Sequence, residues 1–257
     1  MEFDRRDFTS ALLASGVALG ASAALGATKP KQRADNVVLV HGLFADGSSW
    51  IDVIPILQAR GLNVTAVQNP LTSLPDAVGA CVRVLDRQTG PTVLVGHSFS
   101  GMIVTDAGTH PNVSSLVYVA ARAPDAGEDY AALAARYPSP PASTGIVFDG
   151  DEGRLSEEAF LRDFAPDLPR AKARALYAAQ WPFRKTLTTG RAMNAAWRSK
   201  PSFYAVSTQD RVIDPDLQRF MAKRMNAKTI ELRSSHVSLL SHPREIAGLI
   251  LDAAGRG

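Results

Sequence analysis

The hexapeptide Gly96-His97-Ser98-Phe99-Ser100-Gly101 follows an apolar, β-branched run, Thr92-Val93-Leu94-Val95, and leads into residues 99–109, which read as a helix. A serine at such a strand-to-helix junction sits on a tight, strained turn with its hydroxyl lifted clear of the backbone. The first N–H groups of the following helix point at any negative charge that develops beside it. This is the setting of a nucleophile. The usual spacing is Gly-x-Ser-x-Gly. Here Ser100 takes the final position, small enough to keep the turn, and Gly101 adds slack. A serine that only caps a helix would suit an ordinary loop; the strand before Ser98 favours the nucleophile.

A serine hydroxyl is weak without a base and an acid that orients the base. The chain has five histidines. His41 and His97 belong to the turns that flank the nucleophile, and their reading is hydrogen bonding within those turns. His110 ends the helix after Ser98, and His242 starts the last helix beside Pro243. His236 differs. In Ser234-Ser235-His236 it lies just past a strand, at the sheet edge where α/β sites collect. It is the expected base.

With a nucleophile on such an elbow, the acid lies between serine and histidine in chain order. Asp210, in Ser207-Thr208-Gln209-Asp210-Arg211, follows the strand at 203–206 and is the first choice. Asp214 and Asp216 are rivals, although Asp214-Pro215 reads better as a helix cap and first helical position. Asp125, after the fourth strand, is a further candidate. An oxyanion also needs donors. Gly42, in His41-Gly42-Leu43-Phe44, lets the backbone turn an N–H inward. The expected donors are the amides of Leu43 and Phe99.

The elements that must hold these groups alternate. Strands are expected at 37–40, 64–67, 92–95, 115–120, 203–206 and 229–232. Helices are expected near 50–59, 74–87, 99–109, 215–225 and 243–253. Such alternation implies a parallel sheet with right-handed crossovers. Between 122 and about 195 the rhythm breaks, with Pro124, Pro138, Pro140, Pro141, Pro166, Pro169 and Pro182. That stretch reads as a helical cap inserted over the sheet edge. Phe44, Trp181, Phe183 and Trp197 are candidates to line an apolar pocket beneath it, with plain cap packing the other reading for the last three.

The chain of 257 residues is 46% hydrophobic and 21% charged, which suits one large α/β domain over 28–257. The net charge of +3 is spread out, and Arg162 to Arg174 is broken by Asp163 and Asp167; nucleic acid is not an expected partner. The lone Cys81 forms no internal disulfide and fits an apolar helical face. Residues 1–27 read as an export signal. Arg5-Arg6 and Phe8 precede a short Ala- and Gly-rich run, with small-residue cleavage patterns ending at Ala23 or Ala27. The paired arginines fit the twin-arginine route. The expected location is periplasmic or secreted, with no stable membrane insertion after cleavage.

Together these residues resemble the α/β-hydrolase superfamily from about Asp35 to Asp252. His41-Gly42-Leu43-Phe44-Ala45-Asp46-Gly47-Ser48-Ser49-Trp50 is similar to the opening motif of bacterial relatives of the plant methylesterases and hydroxynitrile lyases. Thr208-Gln209-Asp210 with Leu217-Gln218-Arg219-Phe220, and Ser234-Ser235-His236, are similar to the acid and histidine segments of that branch. The resemblance implies an α/β-hydrolase fold, with a mostly parallel, doubly wound sheet. It further implies a serine hydrolase acting on a small-molecule ester through an acyl-enzyme, with no metal or organic cofactor. The branch's lyases carry Thr at the position of Gly42 and Lys after the catalytic histidine, where this chain has Val237. Both differences favour the esterase. Ser98 separates the chain from haloalkane dehalogenases, whose nucleophile is a carboxylate. The competing readings are a cofactor-free lyase or perhydrolase on the same triad, and a non-catalytic binding protein of the same fold.

Overall fold

In the computed structural model, which describes residues 33–257, strand β1 (Asn36–Val40) is buried along its whole length. Its Val and Leu side chains cover both faces, as they must in a parallel strand with helices on either side. The expected export signal lies outside the described residues. Helix α1 (Ile54–Gln58) crosses to β2 (Asn63–Val67), and α2 (Leu74–Leu85) returns to β3 (Thr92–His97). Ser73 starts α2 by accepting from the Asp76 amide, with Pro75 near the N-terminus. The short helix α3 (Gly101–Ala107) leads to β4 (Val113–Val119).

The chain leaves the sheet after β4 and rejoins it at β8. The intervening segment holds α4 (Tyr130–Ala134), β5 (Ile146–Asp149), β6 (Glu152–Leu155), α5 (Glu157–Ala159), α6 (Arg170–Ala178) and β7 (Phe183–Arg184). This is the expected insertion, and its helices are present. It also carries an antiparallel three-stranded sheet, β5-β6-β7, that the sequence pattern does not reveal. Each of these strands is four residues or shorter, too short to show the alternation on which a strand assignment rests.

Beyond the insertion, β8 (Ser202–Ser207), α7 (Pro215–Arg224), β9 (Lys228–Leu232), α8 (Ser238–Ser241) and α9 (Pro243–Ala253) complete the chain. The main sheet has the order β2-β1-β3-β4-β8-β9, and every neighbouring pair is parallel. The winding reverses between β1 and β3, so the loops leaving those two strands open a crevice at their carboxyl ends. Helix α9 docks beneath β4, where Ser115 Oγ donates to the Ala253 carbonyl at 3.0 Å.

Candidate active site

Four strand ends supply the site. Ser98 follows β3, the loop 41–44 follows β1, Asp210 follows β8 and His236 follows β9. Ser98 has φ of 58°, a left-handed conformation that a non-glycine residue adopts only when its surroundings enforce it. Those surroundings are visible. A Cβ on Gly96 would lie 2.9 Å from the Ser100 carbonyl oxygen, and one on Gly101 would lie 1.9 Å from the Arg122 carbonyl oxygen. Gly101 is therefore required by close packing, not by slack in the turn. Ser100 does more than remain small: its Oγ sits 2.7 Å from the Val40 carbonyl and 2.8 Å from that of His97, tying β1 to the elbow.

Ser98 Oγ lies 2.7 Å from His236 Nε2, and His236 Nδ1 lies 2.7 Å from Asp210 Oδ2. All three residues are buried, with His236 at 0% exposure. The Asp210 carboxylate is saturated. Oδ1 accepts from the amides of Val212 (2.7 Å) and Ile213 (3.0 Å), and Oδ2 accepts from Gln218 Nε2 (2.8 Å). Gln218 is fully buried, and its Oε1 accepts from the Ser207 amide. Sequence reasoning assigns Gln218 no role of its own. The available signal is a polar residue on the inner face of α7, eight positions after the acid. The rival acids serve elsewhere. Asp214 caps α7, Asp216 pairs with Arg219, and Asp125 pairs with Arg198.

His41 and His97 brace the turns. The Gly42 carbonyl accepts from His41 Nδ1, so Nε2 is left to accept from the Asn69 amide and side chain. His97 Nε2 donates to the His236 carbonyl at 2.9 Å, while its buried Nδ1 has no partner among the described residues. Burial pushes the pKa of His97 well below its ordinary value, and the neighbouring His236 adds to the effect; burial also lowers that of His41. Both rings are neutral supports.

Of the expected oxyanion donors, Leu43 lines the same cavity as Ser98 and Phe99 follows Ser98 in the chain. The Leu43 amide has no acceptor among the described residues. Phe99 is the second residue of the helical turn Ser98–Ser100, where N–H groups lack intrahelical acceptors. Phe44 follows with φ of 61°. A Cβ on Gly42 would fall 2.7 Å from Ser98 Cβ, so a side chain there would displace Ser98.

A cavity of about 360 Å³ opens over Ser98, walled by Leu43 and Phe44 from the core loop and by Tyr130, Leu155 and Phe183 from the insertion. The ring of Phe44 packs edge-on against Phe183, with centroids 5.4 Å apart. Phe44 and Phe183 thus stand where a pocket was expected. The other two aromatics do not. Trp181 is 63% exposed on the outside of the insertion. Trp197 is buried, donates Nε1–H to the Pro124 carbonyl, and stacks with Arg198 and Arg224. Those partners draw its ring away from the cavity.

The insertion is clamped to the site. Asp163 is fully buried and ion-paired with Arg162 and with Arg211, the neighbour of Asp210. Burial alone would raise its carboxyl, but the two arginines hold it below the ordinary value. Asp167 accepts from the Ser235 amide and hydroxyl, next to His236.

Residues 37–249 match the alpha/beta hydrolase family. The chain belongs to that family. It is 26% identical over 251 residues to the pyrethroid hydrolase of Sphingobium wenxiniae, a match covering 85% of this chain and 87% of that one. It is 24% identical to an alpha-hydroxynitrile lyase of Arabidopsis thaliana, covering 84% and 95%. The fold is similar to that of polyneuridine aldehyde esterase, with a TM-score of 0.73 at 20% identity, over 86% of this chain and 98% of that one. The chain is thus an alpha/beta hydrolase with hydrolases, esterases and a lyase among its relatives.

Proposed function

We propose that this alpha/beta hydrolase is a serine carboxylic ester hydrolase. The observation that carries the reading is the unbroken line Asp210–His236–Ser98, with 2.7 Å contacts at both ring nitrogens. His236 Nε2 takes the proton from Ser98 as Oγ attacks the ester carbonyl. Asp210 holds the Nδ1–H tautomer and stabilises the imidazolium. The amides of Leu43 and Phe99 receive the oxyanion; one such donor is worth about 3 kcal/mol of transition-state stabilisation. The alcohol leaves with the proton from His236. Water, deprotonated by the same ring, then cleaves the acyl-enzyme.

Position 42 favours hydrolysis over cyanohydrin cleavage. The crowding at Ser98 Cβ excludes the threonine of the lyases without movement of the nucleophile. Val237, 1% exposed, offers no charge to a departing cyanide. The test is turnover of p-nitrophenyl esters by the mature chain, together with labelling by a fluorophosphonate. Turnover and labelling that both vanish in Ser98→Ala support the reading. Cleavage of mandelonitrile with no ester turnover would replace it with the lyase, and absent labelling would favour a binding protein. The same reading places the enzyme outside the cytoplasm, exported through residues 1–27. Cell fractionation of a variant with both Arg5 and Arg6 replaced by Lys tests this; unchanged export would remove the twin-arginine assignment.

A further inference from the structure

The wall of the cavity beside Ser98 carries a guanidinium without a counter-charge. Arg122 leaves the end of β4, and its amide donates to the Ser98 carbonyl at 2.9 Å, which fixes its backbone against the nucleophile. Its side chain lines the same cavity as Ser98. The guanidinium carbon stands 5.6 Å from the centroid of Phe99 and 4.7 Å from that of Tyr130. Its remaining contact is Met102 Sδ at 3.9 Å, and no carboxylate pairs with it among the described residues. Arg162, Arg198, Arg211, Arg219 and Arg224 all have carboxylate partners.

A desolvated cation without a partner is costly, and the cost is relieved when an anion arrives. The packing around Arg122 lowers its pKa from the ordinary arginine value, as that cost requires. Tyr130 does not supply the missing charge. Burial raises its phenol to about 12, so it stays neutral at physiological pH. Its hydroxyl has no hydrogen-bond partner among the described residues, which leaves it free as a second donor. Asp214 also lines the cavity, but it forms no ion pair with Arg122, and its Oδ1 is occupied by the amides of Asp216 and Leu217. The rest of the wall is mostly apolar.

We propose that Arg122, with Tyr130 beside it, forms an anion subsite that selects carboxylic esters bearing a second, ionised carboxyl group, such as monoesters of short dicarboxylic acids. The planar guanidinium matches a carboxylate in bidentate fashion. The subsite deepens the ester-hydrolase reading and rests on it for the substrate class. In turnover the charged group docks on Arg122 while the ester carbonyl lies over Ser98, within one cavity.

The test compares monoethyl succinate with ethyl 4-methylvalerate, its uncharged isostere, by pH-stat titration. The wild-type chain prefers the charged ester in kcat/KM by on the order of tenfold or more. In Arg122→Met that preference collapses, and in Arg122→Lys part of it returns. Equal ratios in wild type and Arg122→Met, with Ser98-dependent turnover of both esters, overturn the subsite. Calorimetry of succinate with Ser98→Ala gives an independent arm. Binding that disappears in the Ser98→Ala, Arg122→Met double variant supports the subsite, and no binding to Ser98→Ala overturns it. Succinate binding that depends on Arg122, in a chain that turns over neither ester, keeps the anion site and removes the ester-hydrolase reading.

Discussion

Gln218 Nε2 donates to Asp210 Oδ2 at 2.8 Å, the same oxygen that faces His236 Nδ1 at 2.7 Å. The acid is therefore held from α7 as well as from its own loop. With Oδ1 taken by two amides, the carboxylate has no freedom to rotate away from the imidazole. In Gln218→Leu the Oδ2 contact is lost and the Ser207 amide loses its acceptor. We expect kcat and kcat/KM to fall together by about tenfold, the pattern of an interaction that matters in the transition state and not in substrate binding. The unpaired Ser207 amide costs about 1–3 kcal/mol, visible as a lower urea midpoint. A fall in stability with kcat unchanged would reduce Gln218 to a structural role.

Position 42 makes a sharper prediction. A methyl group there meets Ser98 Cβ at 2.7 Å and crowds His97 Nδ1 at 3.2 Å. Ser98 and His97 are both buried. Gly42→Ala is expected to lower ester kcat/KM by on the order of 10²-fold, because a small displacement of a positioned nucleophile is that costly. Fluorophosphonate labelling rates follow the same loss. Wild-type activity in the Gly42→Ala variant would show that the elbow yields and would weaken the case against the lyase.

The middle of the parallel sheet was legible because β1, β3, β4 and β8 are buried on both faces and read as largely apolar runs. β1 and β3 were expected within two residues of their ends. Ser98 and Asp210 were legible as candidates because each sits just past such a strand, and His236 because it follows the edge strand β9. The pocket was not, since an aromatic residue carries no sequence mark of the direction it faces. Trp181 and Trp197 occupy the same insertion as Phe183, yet one faces solvent and one faces Arg224. Gln218 and Arg122 went unassigned for a similar reason. Their roles depend on which neighbours they have, or lack, across the fold.

Ser100 stands where glycine is usual, and its hydroxyl bridges the Val40 and His97 carbonyls. Restoring the usual residue should therefore harm the protein. Ser100→Gly removes the bridge and adds backbone freedom to the unfolded chain, together costing about 1–3 kcal/mol. Ser100→Ala loses only the hydroxyl and should cost less. Thermal and urea denaturation of the two variants separate the contributions. A Ser100→Gly protein as stable as wild type would mean that the bridge contributes nothing net.

The neutral histidines set a pH dependence of stability with a definite sign. His97 and His41 have pKa values lowered by burial from the ordinary 6.5. Below pH 6.5 the unfolded chain takes up protons at both positions and the native chain does not, so acid favours unfolding. Stability is complete above the unfolded value and declines as the pH falls through it, until the depressed native values are reached. Each group contributes about 1.4 kcal/mol per pH unit within that window. Asp163 adds a separate and more acidic loss, since its carboxyl is held below 3.8 and its pairing with Arg162 and Arg211 fails only when it protonates. Urea midpoints measured from neutral pH down to about pH 5 should fall steadily. In His97→Gln, whose side-chain amide reaches the position of the ring Nε2 and can still donate to the His236 carbonyl but does not titrate, the slope should shrink by the contribution of one group. An unchanged slope would show that His97 is protonated in the native state. That would place a positive charge beside His236, whose ring lies 4.8 Å away.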